Sequence, residues 1–266
     1  MSPQRTGPRA VHRLTESLSE RDLAIIARVA DHRLMSGFQL HSLFFAGNHE
    51  SAASAARSCR RVLAALTADR LLLRIERRVG GLRAGSGSWV YAIGPVGQRA
   101  LSLEGPRSRF REPSPTFLAH TLAVSQLAVD VAVAARSGVF EILACQPEPR
   151  CWRLFSGASG TVHLRPDLFL AVGIGDYEQR WFIELDRGNE HLPALLRKCR
   201  IHEDYYRSGK EQAVHRIHPQ VCWVMPHERL AQRLRAAIDA DDRFTAALFI
   251  VTTNEMALPV LTEGAS

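Results

Sequence analysis

Two apolar, strand-like runs joined by a short glycine turn restrict the folds open to this chain more than any other feature. LRPDLFLAV (Leu164–Val172) carries one acid, Asp167. GIGDYEQ (Gly173–Gln179) supplies the turn, and RWFIELDRG (Arg180–Gly188) carries Glu184 and Asp186. This is the pattern of a β-hairpin. A helix-patterned segment follows, with Leu192, Leu195, Leu196, Cys199 and Tyr206 at near-helical spacing and Lys198 beside that stripe. An acid inside an apolar strand is costly to bury without compensation. Glu184 and Asp186 are two apart and so project to one face of their strand. A register that sets Asp167 beside Glu184 gathers three carboxylates, whose repulsion a cation would relieve. Hard oxygen ligands that leave room for water and phosphate suit Mg²⁺ or Mn²⁺.

Pro166-Asp167 on one strand and Glu184-x-Asp186 on the next resemble the PD-(D/E)XK nuclease superfamily. The resemblance implies that Asp167 and Glu184 hold a metal while a lysine helps to orient the attacking water. Asp186 stands where that lysine would be. The resemblance also supplies a replacement, because a lysine on the following helix serves some members. Lys198 is in that place, and Lys210 is the only other lysine in the chain.

Charge divides the sequence. Residues 1–110 hold 17 basic and 8 acidic residues, residues 111–266 hold 17 and 19. The positive excess therefore lies wholly in the first part, as expected of a polyanion-binding module attached to a near-neutral domain. The five cysteines are scattered without C-x-x-C spacing, which signals neither a zinc site nor a disulfide framework. No nucleotide cofactor is indicated. No uninterrupted apolar run reaches the length needed to cross a bilayer, so no membrane partner is expected. The basic start, MSPQRTGPRAVHR, is unlike a secretory signal, and a cytoplasmic location is the expectation.

Residues 1–17 read as a disordered basic arm. Ser19, with Glu20 and Asp22 behind it, opens a helix ending near His32. Further helices are expected over Gly37–Phe45 and Ser51–Asp69. A strand over Leu71–Val79, a glycine-rich tip (Gly80–Ser88) and a return strand over Trp89–Gly94 follow. Three helices and then a hairpin with a basic tip make the pattern of a winged helix-turn-helix over residues 18–104. Its third helix would enter the major groove of double-stranded DNA with Arg57, Arg60 and Arg61. Arg77, Arg78 and Arg83 on the wing would meet phosphates. Arg60 and Arg61 are consecutive and cannot share a helix face, so at least one would touch backbone.

Residues 105–115, rich in Pro and Arg, read as a linker, and residues 116–258 as the second domain. A largely buried helix runs from Thr116 to Gly138. Its His120 is either a satisfied core residue or support for the acidic site. Strands over Phe140–Cys145 and Cys151–Phe155 flank Glu148, an extra ligand or a solvated loop residue. Pro219–Pro226 reads as a strand, His227–Ala240 as an amphipathic helix, Ala246–Thr253 as a last strand. The expected class is thus α/β (α+β), a winged helix followed by a PD-(D/E)XK-like αβββαβ domain.

Several short motifs in order resemble the replication-relaxation family of plasmid and mobile-element proteins. They are L-S-E-R-D-L-A-I-I (Leu18–Ile26), V-Y-A-I-G-P-V-G (Val90–Gly97), H-T-L-A-V-S (His120–Ser125), R-P-D (Arg165–Asp167) and E-L-D-R-G-N-E (Glu184–Glu190) with Lys198 and Tyr205-Tyr206 downstream. The resemblance implies replication or transfer of mobile DNA, with replication or transfer proteins as partners. The acids add the expectation of a metal-dependent phosphodiesterase, with Asp167 and Glu184 on the metal, Asp186 bound through a water or acting as base, and Lys198 offsetting phosphorane charge. The opposing expectation is a non-catalytic DNA-binding regulator or replication accessory, its second domain used for homodimerisation or partner contact. A relaxase with Tyr205 or Tyr206 as nucleophile is a third reading, against which stands the lack of a histidine cluster.

Overall fold

The protein is described here by a computed structural model over residues 7–47, 51–75, 89–102, 112–157 and 160–263. It is a mixed α/β protein, as expected, and divides into two compact units between Val129 and Asp130.

The first unit begins with α1 (Pro8–Ser17), where a disordered arm was expected. Its helix is amphipathic, with Val11 buried and Leu14 packed on the core while the basic residues face out. Helix α2 (Glu20–His32) starts in a capping box, in which Ser19 and Asp22 each satisfy the other's backbone N–H. Strand β1 (Met35–Ser36) leads into α3 (Gly37–Phe44), capped the same way by Ser36 and Gln39. Ser51 caps α4 (Ala52–Ala68). Such caps contribute about 1 kcal/mol each. Strands β2 (Leu72–Ile75) and β3 (Val90–Ile93) pair antiparallel, and β1 joins β3 to give the order β1-β3-β2. Helix α5 (Pro95–Ala100) then folds back onto the start of β2. A Cβ at Gly94 would sit 2.1 Å from the Arg70 carbonyl oxygen and one at Gly97 2.3 Å from that of Leu71, so this approach admits only glycine. Ile25, Ile26, Leu40, Phe45, Leu63 and Leu72 form the core.

Helix α6 (Pro115–Ala134) gives its residues up to Val129 to this unit. Phe117, Leu118 and Leu122 pack with Leu34, Ile75, Val90 and Ala92. Gln39 donates to the Leu122 carbonyl at 2.8 Å and Ser125 to that of Leu34 at 3.1 Å. The division therefore falls inside α6, whereas most of the stretch expected to be a linker lies outside the described residues. By length and composition alone α6 with its terminal turn is long and apolar enough to cross a bilayer, although His120, Ser125, Gln126 and Asp130 interrupt its apolar run. Its isolated polar residues do not lower the average of a window rich in Ala, Val and Leu, and Leu122, Val124, Leu127 and Val129 are buried in the protein.

The second unit is built on a five-stranded sheet. Strands β4 (Glu141–Pro147), β7 (Leu168–Ile174) and β8 (Tyr177–Leu185) are antiparallel neighbours; β9 (Gln220–Met225) and β10 (Phe249–Thr253) continue parallel, in the order β10-β9-β8-β7-β4. Between β4 and β7, the expected strand β5 (Arg153–Gly157) pairs with β6 (Gly160–Leu164) in a hairpin of their own, outside the main sheet. Helix α7 (Leu192–Arg207) covers one face through Leu195 and Cys199 against Val221 and Trp223, and through Tyr205 near Phe169 and Phe182. A short helix, α8 (Lys210–His215), follows. Its buried Glu211 accepts from Arg153 at 2.7 Å and from Tyr205 at 2.8 Å, which fastens the β5–β6 hairpin to α7. Helices α9 (Glu228–Asp239) and α10 (Ala257–Glu263) complete the unit.

Candidate functional site

The β7–β8 register brings two of the sequence-identified acids together. Leu168 pairs with Ile183, and one step further along the same register sets Asp167 opposite Glu184. Asp167 donates its amide to the Ile183 carbonyl at 3.0 Å, and its Oδ2 accepts the Leu185 amide at 2.8 Å. The carboxylate so takes a backbone acceptor's place where the ladder ends, which locks its position. Cys151 supports the turn before it, its thiol 2.9 Å from the Pro166 carbonyl, and burial pushes that thiol up to about 12. Glu148 donates its amide to the Asp167 carbonyl at 3.1 Å.

Glu184 is 2 % exposed, beneath α7. Helical geometry puts residues four apart on one face, and α7 uses that spacing to reach both oxygens of this carboxylate. Lys198 Nζ lies 3.5 Å from Oε2, and His202 Nε2 lies 2.9 Å from Oε1. A carboxylate accepts, so Nε2 carries the proton in this contact. Burial nevertheless raises the Glu184 pKa above its ordinary value; the His202 hydrogen bond opposes the shift, and the charge of Asp167 adds to it. Desolvation and the neighbouring anion outweigh the two partners. For Lys198 the balance runs the other way. Burial alone would lower its pKa, but Glu184, the hydrogen bond to Glu190 and the charge of Asp167 raise it. The ammonium is 2.7 Å from Glu190 Oε1 and lies over the Trp223 ring at 5.8 Å.

Asp186 follows β8 directly. Its amide donates to the Val224 carbonyl at 3.0 Å, and its Oδ2 is buried without a hydrogen-bond partner among the described residues. A divalent cation fits these donors in kind: two adjacent carboxylates, one raised in pKa by burial and then by its neighbour's charge, and an orphaned carboxylate oxygen nearby in the chain. Mg²⁺ commonly keeps several waters and needs only one or two protein carboxylates. Among the described residues no three His, Cys, Asp or Glu side chains already form a ready-made ligand group.

The remaining sequence candidates are distributed as follows. Arg57, Arg60 and Arg61 are exposed on α4, opposite its buried Ala55, Cys59 and Leu63. Arg77, Arg78 and Arg83 lie outside the described residues. His120 is half-buried on α6, in the first unit. Tyr205 is buried and donates to Glu211, and burial followed by that bond raises its pKa. Sequence reasoning missed His202 and Glu190 as members of the acidic site. The i, i+4 spacing of Lys198 and His202 was the available signal for the first. For Glu190, which precedes α7 in the loop, spacing gave none.

No curated protein and no solved structure matches the chain. The family model for replication-relaxation matches residues 26–221, which runs from within α2 through the small sheet of the first unit to the acid-bearing strands and α7 of the second. The chain belongs to the replication-relaxation family, a membership that points to plasmid or mobile-element replication.

Proposed function

We propose that the chain is a DNA-binding protein of plasmid or mobile-element replication, working in the cytoplasm, whose second unit hydrolyses phosphodiesters with Mg²⁺ or Mn²⁺. The observation that carries this reading is the convergence of Asp167, Glu184 and Lys198 from two strand ends and a helix face. The order helix, three antiparallel strands, helix, parallel strand is that expected of a PD-(D/E)XK-like domain and supports the same reading.

Asp167 and Glu184 would hold the cation. When bound, it polarises the scissile phosphate and lowers the pKa of a coordinated water. The chain's own groups do the rest. Lys198, kept charged by its acidic neighbours, offsets negative charge building on the phosphorane. Asp186, with one carboxylate oxygen unpartnered, is the acceptor for the water's proton. In the first unit, three helices and a sheet in the order β1-β3-β2 support a winged-helix reading. Arg57, Arg60 and Arg61 on α4 then meet duplex DNA at the major groove, at least one of Arg60 and Arg61 on its backbone, and Arg77, Arg78 and Arg83 meet phosphates.

One observation favours a second reading. Both Glu184 oxygens already have partners in His202 and Lys198. On that reading the acids are structural, and the second unit of a non-catalytic replication accessory serves dimerisation or contact with other replication or transfer proteins. The two separate in a plasmid-cutting assay with Mn²⁺ or Mg²⁺. Metal-dependent cutting by the full chain, lost in Asp167→Ala, supports hydrolysis. DNA binding without cutting by the parent protein supports the accessory role.

A further inference from the structure

We infer that His202 is a positioning residue for the metal-binding carboxylate, holding Glu184 Oε1 so that Oε2 alone is presented to the cation and to Lys198. The inference rests on the metal-dependent reading above and adds to it a residue outside the acid-and-lysine motif.

The geometry is specific to one nitrogen of the ring. His202 is fully buried, its Nε2 lies 2.9 Å from Glu184 Oε1, and its ring tilts against Phe182 at 6.0 Å. Its Nδ1 is buried with no hydrogen-bond partner among the described residues. Leaving a buried polar atom unmatched is unfavourable. Packing alone would therefore be better served here by leucine, which fills the space beside Phe182 without that nitrogen. What leucine lacks is the Nε2–H donor. Together with Lys198 on the same face of α7, that donor makes a fork in which each oxygen of one carboxylate meets a different side chain. A hydrogen bond to one oxygen restrains the carboxylate's rotation, which biases the direction of its other oxygen. Partners of this kind, one step removed from the metal, orient the ligand and tune its affinity.

The test is calorimetric titration of the full-length protein with MnCl₂ alone, with thermal melting to confirm folding. His202→Gln keeps an amide N–H that can reach Oε1; His202→Asn is shorter by one methylene and cannot; His202→Leu has no donor. Mn²⁺ affinity should fall about 10- to 100-fold in the Asn and Leu variants and stay close to the parent's in the Gln variant. Asn and Gln are both polar amides, so their comparison decides the matter even should the Leu variant fail to fold. Unchanged affinity in the Asn variant, or equal loss in Asn and Gln, overturns the inference while leaving the metal site standing. A parent protein that takes up no Mn²⁺ overturns both the metal site and this inference.

Discussion

The Lys198 amine on α7 lies 3.5 Å from Oε2 of Glu184, 14 residues earlier in the chain on β8. The helix thus returns a cation to the end of the strand that Asp186 follows. Lys198→Ala should lower the cleavage rate about 10²- to 10³-fold, the usual cost of removing one group that stabilises developing charge, with little change in DNA affinity. Single-turnover rates and binding isotherms for the two proteins check this. An unchanged rate would remove Lys198 from the chemistry.

Tyr205 bears on the relaxase reading. Its hydroxyl is buried, donates to Glu211 at 2.8 Å, and has its pKa raised by burial and by that acid, which opposes formation of a nucleophilic phenolate. Tyr205→Phe should leave DNA cutting intact and destabilise the protein by about 1–3 kcal/mol, because Glu211 loses a buried donor. Chemical denaturation and a cleavage assay measure the two effects. Loss of cutting without loss of stability would revive the tyrosine as a nucleophile.

The acids stood out in the sequence because each lies in or at the end of an apolar run, and the strand register follows from the hairpin turn, whereas Lys198, set among Arg197, Cys199 and Arg200, was singled out only through the resemblance. His202 was harder to read, since its i, i+4 spacing from Lys198 puts the two on one helix face but does not say which side chain that face will meet. Helix α1 was hidden because prolines and arginines mask the Val11–Leu14 stripe, a single turn of apolar spacing. The β5–β6 hairpin leaves the main sheet for a tertiary reason, its attachment through Arg153 to Glu211 some 58 residues later, which no local pattern records.

DNA recognition by α4 predicts a salt effect. Arg57, Arg60 and Arg61 are all exposed on α4. Changing all three to alanine should weaken duplex binding and make the slope of log K against log salt shallower by up to about 3, near 0.9 for each phosphate no longer neutralised. Fluorescence anisotropy across a salt series reads this. An unaltered slope would move DNA binding off this helix.

His32 sets a pH dependence in the first unit. Burial, and secondarily the charge of Arg28, lowers its pKa from 6.5 to about 4. Between those values the unfolded chain binds a proton that the folded one refuses. Stability is therefore complete above pH 6.5 and declines as pH falls toward 4, by roughly 3 kcal/mol at the lower limit. His32→Leu should lose less melting temperature than the parent between pH 7 and pH 5. Equal losses in the two proteins would show that this histidine is not the sensitive group.

Metal binding and cutting measured together in one protein test the acidic site most directly. Full-length parent and Glu184→Gln are titrated with Mn²⁺, then incubated with supercoiled plasmid at saturating metal, with DNA binding measured in parallel. The parent should bind Mn²⁺ and nick the plasmid, whereas Glu184→Gln should bind DNA equally well but lose both the metal and the nicking. A parent that binds DNA yet neither takes up Mn²⁺ nor cuts, or a variant that cuts as well as the parent, would contradict a metal-dependent hydrolytic site at these carboxylates.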